Sequence, residues 1–197
     1  AVLFFISFLA FLARWPFYWD EWGKPEQLWL LYSQAGVTAL LGLLAIKLCR
    51  KCTLSLPALR VAEVLVFGAP AVYFLFKQYH EAEKMLNAVD GHAHLPVVLV
   101  PWLMLIFTYA LFIPNTWQRA LAVMGVMGTV PIALILFLER NLPGYAELLH
   151  SATYEGFVSA QVMMSALAVL VGTVGVHTIG ALRREAFAAK QLGQYRL

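Results

Sequence analysis

The stretch FVSAQVMMSALAVLVGTVGVHTI, residues 157–179, contains no Asp, Glu, Lys or Arg. It is long enough to cross the hydrocarbon core of a bilayer as one helix, which takes about 20 predominantly apolar residues. Working outward, the same signature recurs. Residues 120–138 and 95–113 are apolar runs of similar length. Residues 61–76, VAEVLVFGAPAVYFLF, carry only Glu63 near one boundary, and residues 28–48 carry only Lys47 at their end. The first run, AVLFFISFLAFLA at 1–13, is short for a span. No basic residues precede it, as they would in a secretory signal. It reads as the tail of a first transmembrane helix whose beginning lies upstream of this sequence.

Composition points the same way. Hydrophobic residues make up 61% of the 197 and charged residues 13%, against about a quarter charged in soluble domains. Mean hydropathy is +0.74. Such a chain cannot cover a water-facing surface, whereas lipid requires an apolar one. No series of short segments alternates with period two, which argues against a β-barrel. Pro70, Pro101 and Pro131 fall inside helical runs and predict kinks, since neighbouring helices in a membrane compensate the lost hydrogen bonds. The expected fold is all-α: a polytopic transmembrane helical bundle of about six spans over residues 1–180, then a cytoplasmic helical linker at 181–197.

Lys and Arg in the connections set the orientation. With six spans, one side collects Lys47, Arg50, Lys51, Arg60, Arg119, Arg183, Arg184, Lys190 and Arg196, nine of the 14 basic residues. Only Glu63 and Glu185 of the 11 acids join them. The basic side is expected to be cytoplasmic, with both chain ends inside the cell and the bundle in a bacterial inner membrane. Trp15, Trp19 and Trp22 cluster where the first helix leaves the bilayer, and Trp29, Tyr79, Trp117 and Tyr154 fall near other span edges. Interfacial anchoring accounts for them, because Trp and Tyr join an apolar body to a polar tip.

Groups able to carry chemistry are few. Cys49 and Cys52 form a C-x-x-C in a cytoplasmic loop, without a second pair to complete a zinc site and without a thioredoxin context. His80, Glu81 and Glu83 open the outer loop expected after the third span, and Asp90, His92 and His94 close it. Imidazole and carboxylate together suit a divalent transition metal, so His80, Asp90, His92 and His94 are the metal-ligand candidates, set against the plainer reading of a solvated loop. His150 lies beside Glu147 in the last outer loop. Within the spans the polar residues are Ser33, Gln34 and Thr38, then Gln161, Ser165, Thr173 and His177. Ala168, Gly172 and Gly175 allow close helix approach, and helix packing explains this set more simply than a transport path. No Asp or Glu sits at mid-span, which disfavours an ion-coupled transporter. G-x-G-x-x-G, P-loop, H-E-x-x-H and G-x-S-x-G motifs are all absent.

After Ile179 the chain reads GALRREAFAAKQLGQYRL. Leu182, Ala186, Ala189 and Gly193 are spaced like one face of a short signalling coiled coil. The closing LGQYRL, residues 192–197, resembles the lead-in to the first strand of bacterial Hanks-type (eukaryotic-like) serine/threonine protein kinase domains. There a segment of this kind is followed within a few residues by the glycine-rich ATP loop. FIPNTWQRA at 112–120 and LSLPALR at 54–60 likewise resemble the N-terminal multi-span region of bacterial transmembrane kinases. The resemblance implies a membrane anchor and input domain of a receptor-type kinase, interrupted just before the catalytic domain. It implies Arg183, Arg184 and Tyr195 as parts of the signalling linker. ATP and Mg would belong to the kinase domain, as would protein substrates. The glycine loop, ATP-pairing Lys, HRD and DFG are absent here, so no catalytic residue carries over and this stretch is not expected to phosphorylate anything.

The expected partners are the lipid bilayer and a second copy in a homodimer, with no nucleic acid. Two further readings remain. In one, the bundle is a self-contained small transporter or membrane enzyme, which would draw on Gln34, Thr38, Gln161 and His177. In the other, it only anchors and dimerises the kinase.

Overall fold

The computed structural model describes residues 1–13, 25–50, 55–86, 99–113, 116–151 and 154–194. Among these, every regular element is a helix: α1 (Val2–Leu12), α2 (Pro25–Arg50), α3 (Leu56–Leu86), α4 (Leu99–Phe112), α5 (Trp117–Asn141), α6 (Pro143–Leu149) and α7 (Phe157–Gln194). Four helices are long and apolar enough to cross a membrane: Leu28–Cys49 of α2, Leu56–Lys84 of α3, Trp117–Asn141 (α5) and Phe157–Ala189 of α7. Val2–Leu12 and Leu99–Phe112 are apolar but shorter. The described residues are thus those of an all-helical membrane protein.

The outward faces bear this out. On α7, Leu167, Leu170, Val171 and Val174 are about half exposed or more, a pattern that would be costly in water and is favourable in lipid. Helix is also the form that satisfies every backbone group within one segment, as the hydrocarbon core demands. The helices run on through Pro70 and Pro131, both fully buried. Pro101 falls in the first turn of α4, where its missing N–H costs no intrahelical bond.

The chain divides into two compact units, Ala1–Lys77 and Gln78–Leu197. In the first, α1 packs on α2. Gly42 of α2 gives room for Phe5: a Cβ there would stand 2.9 Å from its ring. Aromatic contacts tie α1 to α3. Phe4 meets Phe67 edge-on with centroids 5.4 Å apart, and Phe8 contacts Tyr73 and Phe74 at 5.4 and 5.7 Å.

In the second unit, α7 packs on both α4 and α5. Its buried face is Ser165, Ala168, Gly172 and Val176, at helical spacings of three, four and four. A Cβ on Gly172 would stand 2.9 Å from Met124 Sδ and 3.6 Å from Ala110 Cβ. One on Gly128 of α5 would meet Val169 at 3.0 Å. Small residues therefore let these backbones approach. Gly175 has nothing within 4 Å, so of the three small residues expected to pack, Ala168 and Gly172 do and Gly175 does not. A second cluster joins the last turns of α3 and α5 to α6, with Ala82, Ile135, Leu138, Tyr145 and Leu149 at its centre. Gly156, at φ +80°, takes the left-handed conformation that turns the chain into α7.

One boundary differs from expectation. His80, Glu81 and Glu83 do not open a loop, because α3 continues to Leu86. The segment is amphipathic: Ala82 and Leu86 pack into the cluster with Tyr145 and Leu149, while Glu83 and Lys84 are exposed. Hydropathy averaging misses such a turn. The sixth apolar run continues as helix past residue 180, α7 spanning Phe157–Gln194.

Candidate functional site

Two of the polar residues inside the spans, Gln34 and Thr38, meet at one place in the first unit. Gln34 of α2 is buried, as is Thr38 one turn on. The Gln34 Nε2 donates to the Phe8 carbonyl of α1 at 3.5 Å, a long bond, and its Oε1 accepts from the Tyr73 hydroxyl of α3 at 3.1 Å. Thr38 Oγ1 donates to the Gln34 carbonyl at 2.7 Å. One amide thus links three helices and leaves neither end of its side chain unmet. Tyr73 was the part that sequence reading missed. Nothing in its position within an apolar run separates it from Phe74 beside it.

The remaining span hydroxyls mostly turn inward to their own helices. Thr173 Oγ1 donates to the Val169 carbonyl at 2.7 Å and Thr178 Oγ1 to that of Val174 at 3.0 Å. Ser33 donates to Leu30 at 2.9 Å. This back-bonding hides a hydroxyl in apolar surroundings without a neighbour's help. Ser165 is the exception, buried on α7 with its Oγ unpartnered. Gln78 is also buried. Its Nε2 donates to the Pro131 carbonyl at 3.2 Å, and its Oε1 has no partner. Gln161 is half-buried and His177 exposed, both on α7 of the second unit.

Of the metal-ligand candidates, His80 is half-buried on α3 with its Nε2 enclosed and unpartnered. Asp90, His92 and His94 lie outside the described residues. No group of three His, Cys, Asp or Glu side chains converges among the described residues. His150 instead pairs with Glu139, Nε2 to Oε1 at 3.0 Å, rather than with its sequence neighbour Glu147. Tyr145 lies in the same corner. Burial pushes its hydroxyl above the usual tyrosine range, and the nearby Glu139 carboxylate adds to this. Cys49 is exposed and not in a disulfide, and Cys52 lies outside the described residues.

On the linker, Arg183 and Arg184 are exposed, and Arg184 Nε donates back to the Gly180 carbonyl at 3.2 Å. Leu182 and Phe187 are also exposed. Tyr195 lies outside the described residues. What the arrangement offers chemically is a set of helix-to-helix polar ties, an exposed thiol at Cys49 and the His150–Glu139 pair, with no metal cage among the described residues.

No protein-family model matches the chain, and neither a curated protein nor a solved structure matches it.

Proposed function

We propose that the chain is the membrane-embedded input region of a bacterial receptor-type serine/threonine protein kinase, with six spans and a cytoplasmic C-terminus. The observation that carries this reading is α7. It is one continuous helix of 38 residues, about 57 Å long at 1.5 Å per residue. The hydrocarbon core takes about 30 Å of that, so the helix extends well past the bilayer. Its C-terminal part, with exposed Arg183, Arg184 and Phe187, leads to the LGQYRL segment that resembles a kinase lead-in. An unbroken helix is a rigid link, suited to carrying a shift or rotation of α7 against α4 and α5 to whatever follows. Signalling of this kind needs two packings whose balance a stimulus alters. Six spans follow if Val2–Leu12 and Leu99–Phe112 belong to longer membrane helices, and the Lys and Arg distribution then puts the C-terminus inside.

Reading the gene downstream of Leu197 tests the proposal. An in-frame G-x-G-x-x-G followed by H-R-D and D-F-G is expected. A stop codon would sink the kinase reading and favour a self-contained transporter or membrane enzyme. For that alternative, the orphaned buried atoms of Gln78 and Ser165 would be the first residues to substitute.

A further inference from the structure

Where α2 ends and α3 begins, a half-open cleft of about 240 Å³ lies between the two helices. Lys47 and Leu48 line it from α2, and Ala58, Val61, Ala62 and Leu65 from α3. The α3 residues recur at spacings of three and four, so they form one face of that helix. Ala58 and Ala62, one turn apart, carry only a methyl each, and the space that larger side chains would fill stays open. The cleft is smaller than the ~300–1,000 Å³ pockets that enclose drug-sized ligands.

Both helices are long and apolar enough to cross a membrane, and the cleft lies at the end of one such stretch, Leu28–Cys49, and the start of the other, Leu56–Lys84. A hollow bordered by hydrocarbon fills with acyl chain, because an empty one forfeits dispersion contacts. The polar member of the lining is Lys47, whose apolar stem can follow the cleft while its ammonium reaches the headgroups. Its neighbour Arg60 is engaged with Glu63 at 2.9 Å, and no acidic side chain pairs with Lys47 among the described residues. Arg50 and Lys51 add positive charge in the adjoining sequence. An apolar slot with a cation at its headgroup end is complementary to a negatively charged lipid.

We propose that this cleft seats one anionic phospholipid, its acyl chain against Ala58 and Ala62 and its phosphate on Lys47. The inference does not depend on the kinase reading. The test is native mass spectrometry of the full chain released from nanodiscs of equimolar phosphatidylglycerol and phosphatidylcholine. The single-lipid adduct should favour phosphatidylglycerol about fivefold, the factor one Lys near a charged membrane surface provides. Lys47→Gln should bring the ratio near one, and Lys47→Arg should retain it. Ala62→Leu, and independently Ala58→Leu, should lower retention of phosphatidylglycerol by filling the slot, with helix content checked by circular dichroism. Equal retention of both lipids by the unsubstituted protein would overturn the proposal. So would an undiminished preference in both filling variants, which would mean that diffuse surface charge alone attracts the lipid.

Discussion

Gln34 shows what a single polar residue does in an apolar setting. Its amide joins Phe8 and Tyr73 on two other helices, and removing it leaves the Tyr73 hydroxyl without that acceptor. Such interhelical bonds are worth about 0.6 kcal/mol on average and up to about 1.7. Gln34→Leu should therefore lower stability by about 1 kcal/mol in a denaturing-detergent titration, with helix content of the folded state unchanged. Tyr145 yields a prediction in pH. Its folded-state pKa is raised above the ordinary 10.0, first by burial and then by Glu139. A raised pKa contributes stability that is intact below the unfolded value and lost as pH rises through the folded one. Through this group the second unit should therefore weaken in the alkaline range above about pH 10, and Tyr145→Phe should remove from the ultraviolet difference spectrum a tyrosine that titrates above the ordinary range. Sequence located Gln34, Thr38 and Ser165 as polar points in apolar runs. It could not supply Tyr73 or the Glu139–His150 pair, because those depend on which helices become neighbours.

At the scale of elements, the apolar runs of α2, α5 and α7 were legible because their length and lack of charge are properties of one segment. What eluded the sequence were amphipathic turns whose apolar side is revealed only by a partner. The last turns of α3 read as loop because Glu81, Glu83 and Lys84 outweigh Ala82 and Leu86 in any local average. The short α6 escaped notice for the same reason, its burial resting on Tyr145 and Leu149. Glycine spacing was equally ambiguous. Gly172 faces Met124 and Ala110 while Gly175 faces nothing within 4 Å. Gly172→Ile should thus cost roughly 1–3 kcal/mol through overpacking, although Met124 can absorb part of a smaller change by moving its flexible end. Gly175→Ile should leave the detergent melting temperature within a degree or two. Equal effects at both positions would mean that α7 packs through a different face.

For the whole molecule, composition pointed to a membrane protein, since no soluble arrangement accommodates so much apolar surface, and the length of the apolar runs made it helical. The division at Lys77 and Gln78 was not legible, because it falls within an unbroken helix and reflects contacts alone. Orientation rests on the uneven distribution of Lys and Arg, an aggregate property that no single residue carries. It also underlies the central claim, that the long helix α7 delivers its C-terminal end to the cytoplasm. The most direct measurement is labelling with a membrane-impermeant maleimide in intact and permeabilised spheroplasts. Native Cys49 is one reporter, with Cys52→Ser to isolate it, and Ala188→Cys and Glu155→Cys, each with both native cysteines replaced by Ser, supply one on either side of α7's span. The account predicts that Glu155→Cys is labelled in intact cells, and that Cys49 and Ala188→Cys are labelled only after permeabilisation. Labelling of Ala188→Cys from outside intact cells would contradict it.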